Sequence, residues 1–253
     1  MILIQKETFL LEVLMSSASV AVPPPQVRHQ GPPLGMLAVV YTGLFLIGLW
    51  PVTMFGGKPW FPGPWESASA IQAFFLERPH AAGLCVFFQF GAAVVLGIFT
   101  ASVVNQMRFL GVRAAGVNIA LFGGFTTAIC GLVSAACTWA QIQHGVAQDL
   151  AVTNALYYVS YALGGPGFSV PMGLLMLGIS IPAAFMRLLP KWICVLGFVL
   201  GACGELSWLN LMVPKALFLI PLTRFPGFLW LIAAGFALPR KTKVRKVGSE
   251  LAG

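Results

Sequence analysis

Apolar residues in this chain come in long runs with little polar interruption. Six of them, at 35–55, 81–104, 115–140, 168–186, 192–213 and 216–238, approach or exceed the roughly 20 helical residues that cross a hydrocarbon core about 30 Å thick. The pattern predicts an all-α fold, a polytopic bundle of six transmembrane helices. A further apolar piece at 150–163 has only fourteen residues before Gly164-Gly165-Pro166-Gly167 breaks it. That length fits a short interfacial or re-entrant helix better than a crossing. Pro171 then falls in the first turn of the span at 168–186, where proline is tolerated.

The polar stretches between the runs have distinct characters. Residues 1–33 carry Pro23-Pro24-Pro25 and Gly31-Pro32-Pro33 and read as a flexible cytoplasmic leader, since such composition favours an extended, unpacked chain. Met15 offers a second start, which would leave 1–14 as an over-long beginning. A loop at 56–65 packs Trp60, Phe61 and Trp65 among prolines and glycines, the aromatic density of a membrane–water interface. Residues 67–77 predict a short helix capped by Ser67 or Ser69 and stopped ahead of Pro79. The chain thus divides into a leader at 1–33, a six-span domain at 34–239 and a basic cytoplasmic tail at 240–253.

Composition sharpens this reading. Of 253 residues 58% are hydrophobic and 9% charged, against roughly 25% charged in a soluble domain. Mean hydropathy is +0.87. A soluble globule could not bury so much apolar surface, which excludes a free cytosolic enzyme and a secreted disulfide scaffold. The net charge of +8 is no nucleic-acid signal, because Arg240, Lys241, Lys243, Arg245 and Lys246 follow the last apolar run, where basic residues mark the cytoplasmic face and lie against anionic lipid. With six spans, Lys6, Arg28, Arg108, Arg113, Arg187, Lys191 and those five share one side, and Lys58, Arg78 and Lys215 the other. Both termini are therefore expected in the cytoplasm. A seventh crossing at 150–163 would export the basic tail.

Candidate chemistry is sparse. Glu205 is the one acidic side chain deep in a span, and Arg224 reaches similar depth from the opposite end of the next. The two are expected to form an ion pair, which lowers the cost of placing each in lipid. Two roles stay open for it: a ligand-binding or proton-handling site of a binder or transporter, and a structural lock between the last two helices. Pro221 and Pro226 flank Arg224 and are expected to break that helix. Ser207, Trp208 and Asn210 continue a polar stripe from Glu205 outward.

Gly116, Gly123, Gly124 and Gly131, and Gly197, Gly201 and Gly204, form small-residue faces suited to close helix packing. Such faces serve the chain itself, a second copy or another membrane protein. Cys85, Cys130, Cys137, Cys194 and Cys203 sit in apolar runs without metal or redox spacing; a bridge is open only between Cys85 and Cys137. His29, His80 and His144 all fall outside the spans, and no hydrolase motif occurs. No catalytic residue, metal or cofactor is assigned. The partners expected are membrane lipids, and no nucleic acid.

The turn Leu189-Pro190-Lys191-Trp192-Ile193 with Gly197, and the stretch from Pro221 to Phe228 with Trp230, resemble a bacterial family of small multi-spanning membrane proteins of unknown function. Cys194 departs from the glycine expected in that family's turn. The resemblance covers about 165–239. It implies a bacterial inner-membrane setting and carries no reaction.

Overall fold

The computed structural model describes residues 26–243. The possible start at Met15, most of the expected leader and the end of the basic tail lie outside the described residues. Two units are distinguished, one of chain ends and one running from His29 to Pro239. In the first, β1 (Gln26–Arg28) pairs antiparallel with β2 (Lys241–Lys243), Val27 opposite Thr242.

The second unit is the membrane domain, with six helical stretches long and apolar enough to cross a bilayer. Its helices are α1 (Leu34–Leu49), α2 (Ala68–Glu77), α3 (Pro79–Phe109), α4 (Gly116–Gln141), α5 (Leu150–Gly164), α6 (Pro166–Phe185), α7 (Lys191–Leu206) and α8 (Leu219–Ala237). Local chemistry sets several ends. Ser67 caps α2 by accepting from the Ala70 amide at 3.2 Å, and Asp149 caps α5 through the Val152 amide at 3.0 Å. Both satisfy amides that a helix start leaves free. Pro79 and Pro166 open α3 and α6, where a missing N–H costs nothing.

The spans close into a ring in the order α1, α3, α4, α6, α7, α8, with α8 returning to α1. Helix α6 sits deepest, with Met172, Leu175, Met176, Ile179 and Ala183 fully buried. Outward faces stay apolar, as at Phe87, Phe122 and Leu229, because lipid rather than water surrounds them.

Both ends of the unit meet at one end of the bundle. Asn105 and His29 share a hydrogen bond of 3.1 Å, and Gln106 donates to the carbonyls of Leu238 and Pro239 at 3.2 and 2.9 Å. We call this the terminal end and the opposite one the loop end. An even number of crossings brings both ends to one side. His29, placed by its sequence in a flexible leader, is buried there against Phe109.

Several elements differ from the sequence expectation. The short helix at 150–163 exists as α5, but only Gly165 separates it from α6. Gln141 meets Thr153, Ser134 meets Ser160, and Gly123 faces Pro171, so α5 and α6 run antiparallel to α4 as one broken span. Helix α6 starts at Pro166, which places Pro171 in its interior. The last span is unbroken around Arg224: Pro221 lies in the first turn of α8, and only Pro226 is internal. The irregular parts come earlier, as two 3-10 turns: Ser207–Leu211 ends the fifth span and Pro214–Phe218 opens the last.

The glycine faces are used within the chain. A Cβ on Gly123 would lie 2.5 Å from the Pro171 carbonyl oxygen, and one on Gly204 would lie 2.8 Å from that of Ser169. Gly124, Gly197 and Gly201 are similarly hemmed in by Thr100, Ser180 and Leu177.

Candidate functional site

The loop end holds a chamber of about 250 Å³ inside the ring. It reaches from Thr53 and Phe61 at the loop down to Arg224, between α1, α3, α4, α5 and α8. A smaller void beyond Arg224 shares Gln89, Ser134, Gly164 and Arg224 with it and continues towards Tyr41 and Thr127.

Arg224 is placed by the break between α5 and α6. Pro166 has no N–H for the Ala162 carbonyl, and the Phe168 amide turns to the Gly165 carbonyl at 3.2 Å, leaving the Gly164 carbonyl without its helical partner. The Arg224 Nη2 donates to that carbonyl. The guanidinium thus sits at the negative end of the α5 dipole. It also lies over the rings of Phe168 and Phe45, with Cζ 4.6 and 5.5 Å from their centroids. Such ring faces attract a cation. Its Nε is sequestered with no acceptor.

Glu205 does not meet Arg224, and no ion pair joins them among the described residues. Its Oε1 is buried without a hydrogen-bond partner and packs against Gly173, where a Cβ would come within 3.0 Å of it. Arg224 contacts α6 at Phe168. Phe168 and Gly173 are five positions apart, about 7.5 Å of rise and about 140° around the helix. The expected pair fails because the two side chains address different faces of α6. The 3-10 turns between them also upset a depth counted as regular helix.

The polar stripe divides as well. Ser207 is buried and donates to the Gly204 carbonyl at 2.6 Å. Asn210 accepts from the Tyr161 hydroxyl at 2.5 Å, which fastens the 3-10 turns to α5. Trp208 is half exposed and is not part of the chamber lining. Of Glu205, Arg224, Ser207, Trp208 and Asn210, only Arg224 lines the chamber, while Asn210 supports its wall through Tyr161.

The remaining polar wall was not anticipated. Ser134, Thr138 and Ser160 form a closed hydroxyl cluster, with Thr138 and Ser160 oxygens 2.8 Å apart and Ser134 donating to the Ser160 carbonyl at 2.9 Å. Gln89 faces both voids and makes only a 3.4 Å contact to the Cys85 sulfur. A signal for this wall was present: Thr127, Gly131, Ser134, Thr138 and Gln141 alternate at four- and three-residue steps, one face of a helix. The loop above is held by Arg78, which donates to the carbonyls of Gly56 at 2.6 Å, Pro59 at 3.0 Å and Gly57. Tyr157 adds a bond to the Pro62 carbonyl at 2.7 Å.

All five cysteines are free thiols, including Cys85 and Cys137. Among the described residues no three His, Cys, Asp or Glu side chains converge. Set against family models, curated proteins and solved structures, the chain gives no match.

Proposed function

We propose that this multi-pass membrane protein is a non-catalytic binder of a small molecule, held in the chamber above Arg224. The observation that carries the reading is a guanidinium without an acidic partner among the described residues, on the wall of a cavity of about 250 Å³. Ionisable groups inside a membrane are expensive and mark functional sites by default. The helix end at Gly164 and the two rings offset part of that cost, yet leave no formal counter-charge. The setting we favour is a bacterial inner membrane with both termini cytoplasmic. The basic residues at one end and the family resemblance of 165–239 support it, and it puts the chamber towards the outer face.

The test is ligand-induced stabilisation of the detergent-purified protein. A ligand that binds only the folded state raises the melting temperature in a saturable way. The probes are benzoate, benzamide and benzylammonium, one of each charge type. At least one should raise the melting temperature, and Leu217→Trp, which fills the chamber mouth, should abolish that shift. If all three leave the wild-type transition in place, the chamber is a structural void and the reading fails.

A further inference from the structure

We infer that the ligand of this chamber is an organic monocarboxylate with a compact apolar body, its carboxylate held by Arg224. The inference rests on the binding reading above and specifies its chemistry.

Charge sets the first limit. Among the described residues, Arg224 is the single cationic side chain on the chamber wall, and no carboxylate lines it. A cationic ligand would add a second positive charge in a low-dielectric site. A dianion such as phosphate would leave one negative charge uncompensated, at high desolvation cost. A monoanion balances the wall one for one.

Hydrogen-bonding capacity sets the second. A guanidinium carries five N–H donors in a planar fork that matches a carboxylate. One nitrogen, Nη2, already serves Gly164 and the Nε is sequestered. The Nη1 edge and the remaining Nη2 hydrogen are left for a ligand. Gln89 lines the cavity beside Arg224 and its amide is committed only to a sulfur, so it can complete the grip. The hydroxyl protons of Ser134, Thr138 and Ser160 find acceptors within the cluster, in backbone carbonyls or a neighbouring hydroxyl. They present lone pairs and add no second anion anchor.

Shape sets the third limit. Above Arg224 the walls are Leu49, Val52, Phe61, Val86, Leu217 and Ile220, which suit a hydrocarbon body. A cavity of about 250 Å³ has room for a short aliphatic or single-ring acid. Two sources share this chemistry: a free short-chain acid, and a membrane fatty acid whose tail extends out of the chamber.

Binding of hexanoate, hexanamide, palmitate and inorganic phosphate to the detergent-purified protein tests the inference. Hexanoate should bind at least about tenfold tighter than hexanamide, the scale of one charge-assisted hydrogen bond. Arg224→Gln should erase that difference. Arg224→Lys, which keeps the charge but loses the fork, should retain part of it and serves where the glutamine variant does not fold. Hexanoate binding above palmitate assigns a free acid, and palmitate above hexanoate a membrane-derived one, each sensitive to Arg224. Equal binding of hexanoate and hexanamide overturns the carboxylate and leaves the chamber as a neutral-ligand site. Phosphate binding tighter than hexanoate, or hexanoate binding untouched by Arg224→Gln, overturns it as well. Absence of binding by every probe removes this inference and the binding reading together.

Discussion

The two halves of the membrane domain are built on opposite packing rules. Towards the terminal end, α4, α6 and α7 approach until backbone meets backbone: a Cβ on Gly178 would lie 2.5 Å from the Gly116 carbonyl oxygen. The helices are continuous there, and Trp230 is fully buried with its indole donating to the Ile193 carbonyl at 2.8 Å. Towards the loop end the helices break or tighten into 3-10 turns at Trp50–Val52, at Gly165, and on both sides of Met212 and Val213. Polar side chains then take the freed carbonyls, and a chamber remains among them. In lipid, helices gain contact by removing side chains, whereas broken backbone is tolerated only where it is covered or faces a cavity. The rigid half is thus the frame, and the irregular half carries the site.

The largest test of this contrast is Gly178→Val. A side chain there has no room, so the loss should reach the upper end of the roughly 1–3 kcal/mol that overpacking costs. Gly131→Ala, whose Cβ would meet Ala93 at an ordinary 3.5 Å, should be nearly silent. Thermal melting in detergent reads both, and equal losses would dissolve the distinction between a tight and a loose half.

At the loop end, Arg78→Met removes the donor shared by three carbonyls. We expect a loss of about 1.5 kcal/mol, together with faster proteolysis within the 53–65 loop. Unchanged cleavage would show that the loop is held by its aromatic packing on α2 alone. Smaller again is Tyr161→Phe, which frees Asn210. Hydrogen bonds between membrane helices average about 0.6 kcal/mol, so the melting temperature should move little while chamber ligands lose affinity.

The smallest effect is a coupling expected to be near zero. Glu205→Gln and Arg224→Met should act independently in a double-mutant cycle, their losses adding to within about 0.5 kcal/mol. A true buried pair would instead show recovery in the double variant, since breaking it from one side costs about 3–5 kcal/mol. Recovery on that scale would restore the ion pair and undo the account of Arg224 as a partner of the broken helix.

The six spans, a serine cap at Ser67 or Ser69, the break near Gly164 and the small-residue faces are legible along the chain. The choice of Ser67 and of intramolecular packing for those faces is not. The legible features follow from local rules: an apolar run of sufficient length must be helical in lipid, proline removes a donor where it stands, and glycine removes bulk. The length of the fragment at 150–163 misled, because a helix interrupted at Gly165 still completes a crossing when α4 runs alongside both pieces. The polar stripe from Thr127 to Gln141 is legible as one helix face, but it carries no charge and so stands out less than Glu205 in an apolar run. Only the tertiary structure decided what Arg224 does. Its candidate partners were Glu205, nineteen residues away, and a carbonyl sixty residues away at Gly164. Both satisfy a buried cation, and choosing between them depends on which face of α6 each neighbouring helix covers. That is fixed by the packing of the whole ring and by two 3-10 turns that spacing along the chain does not reveal.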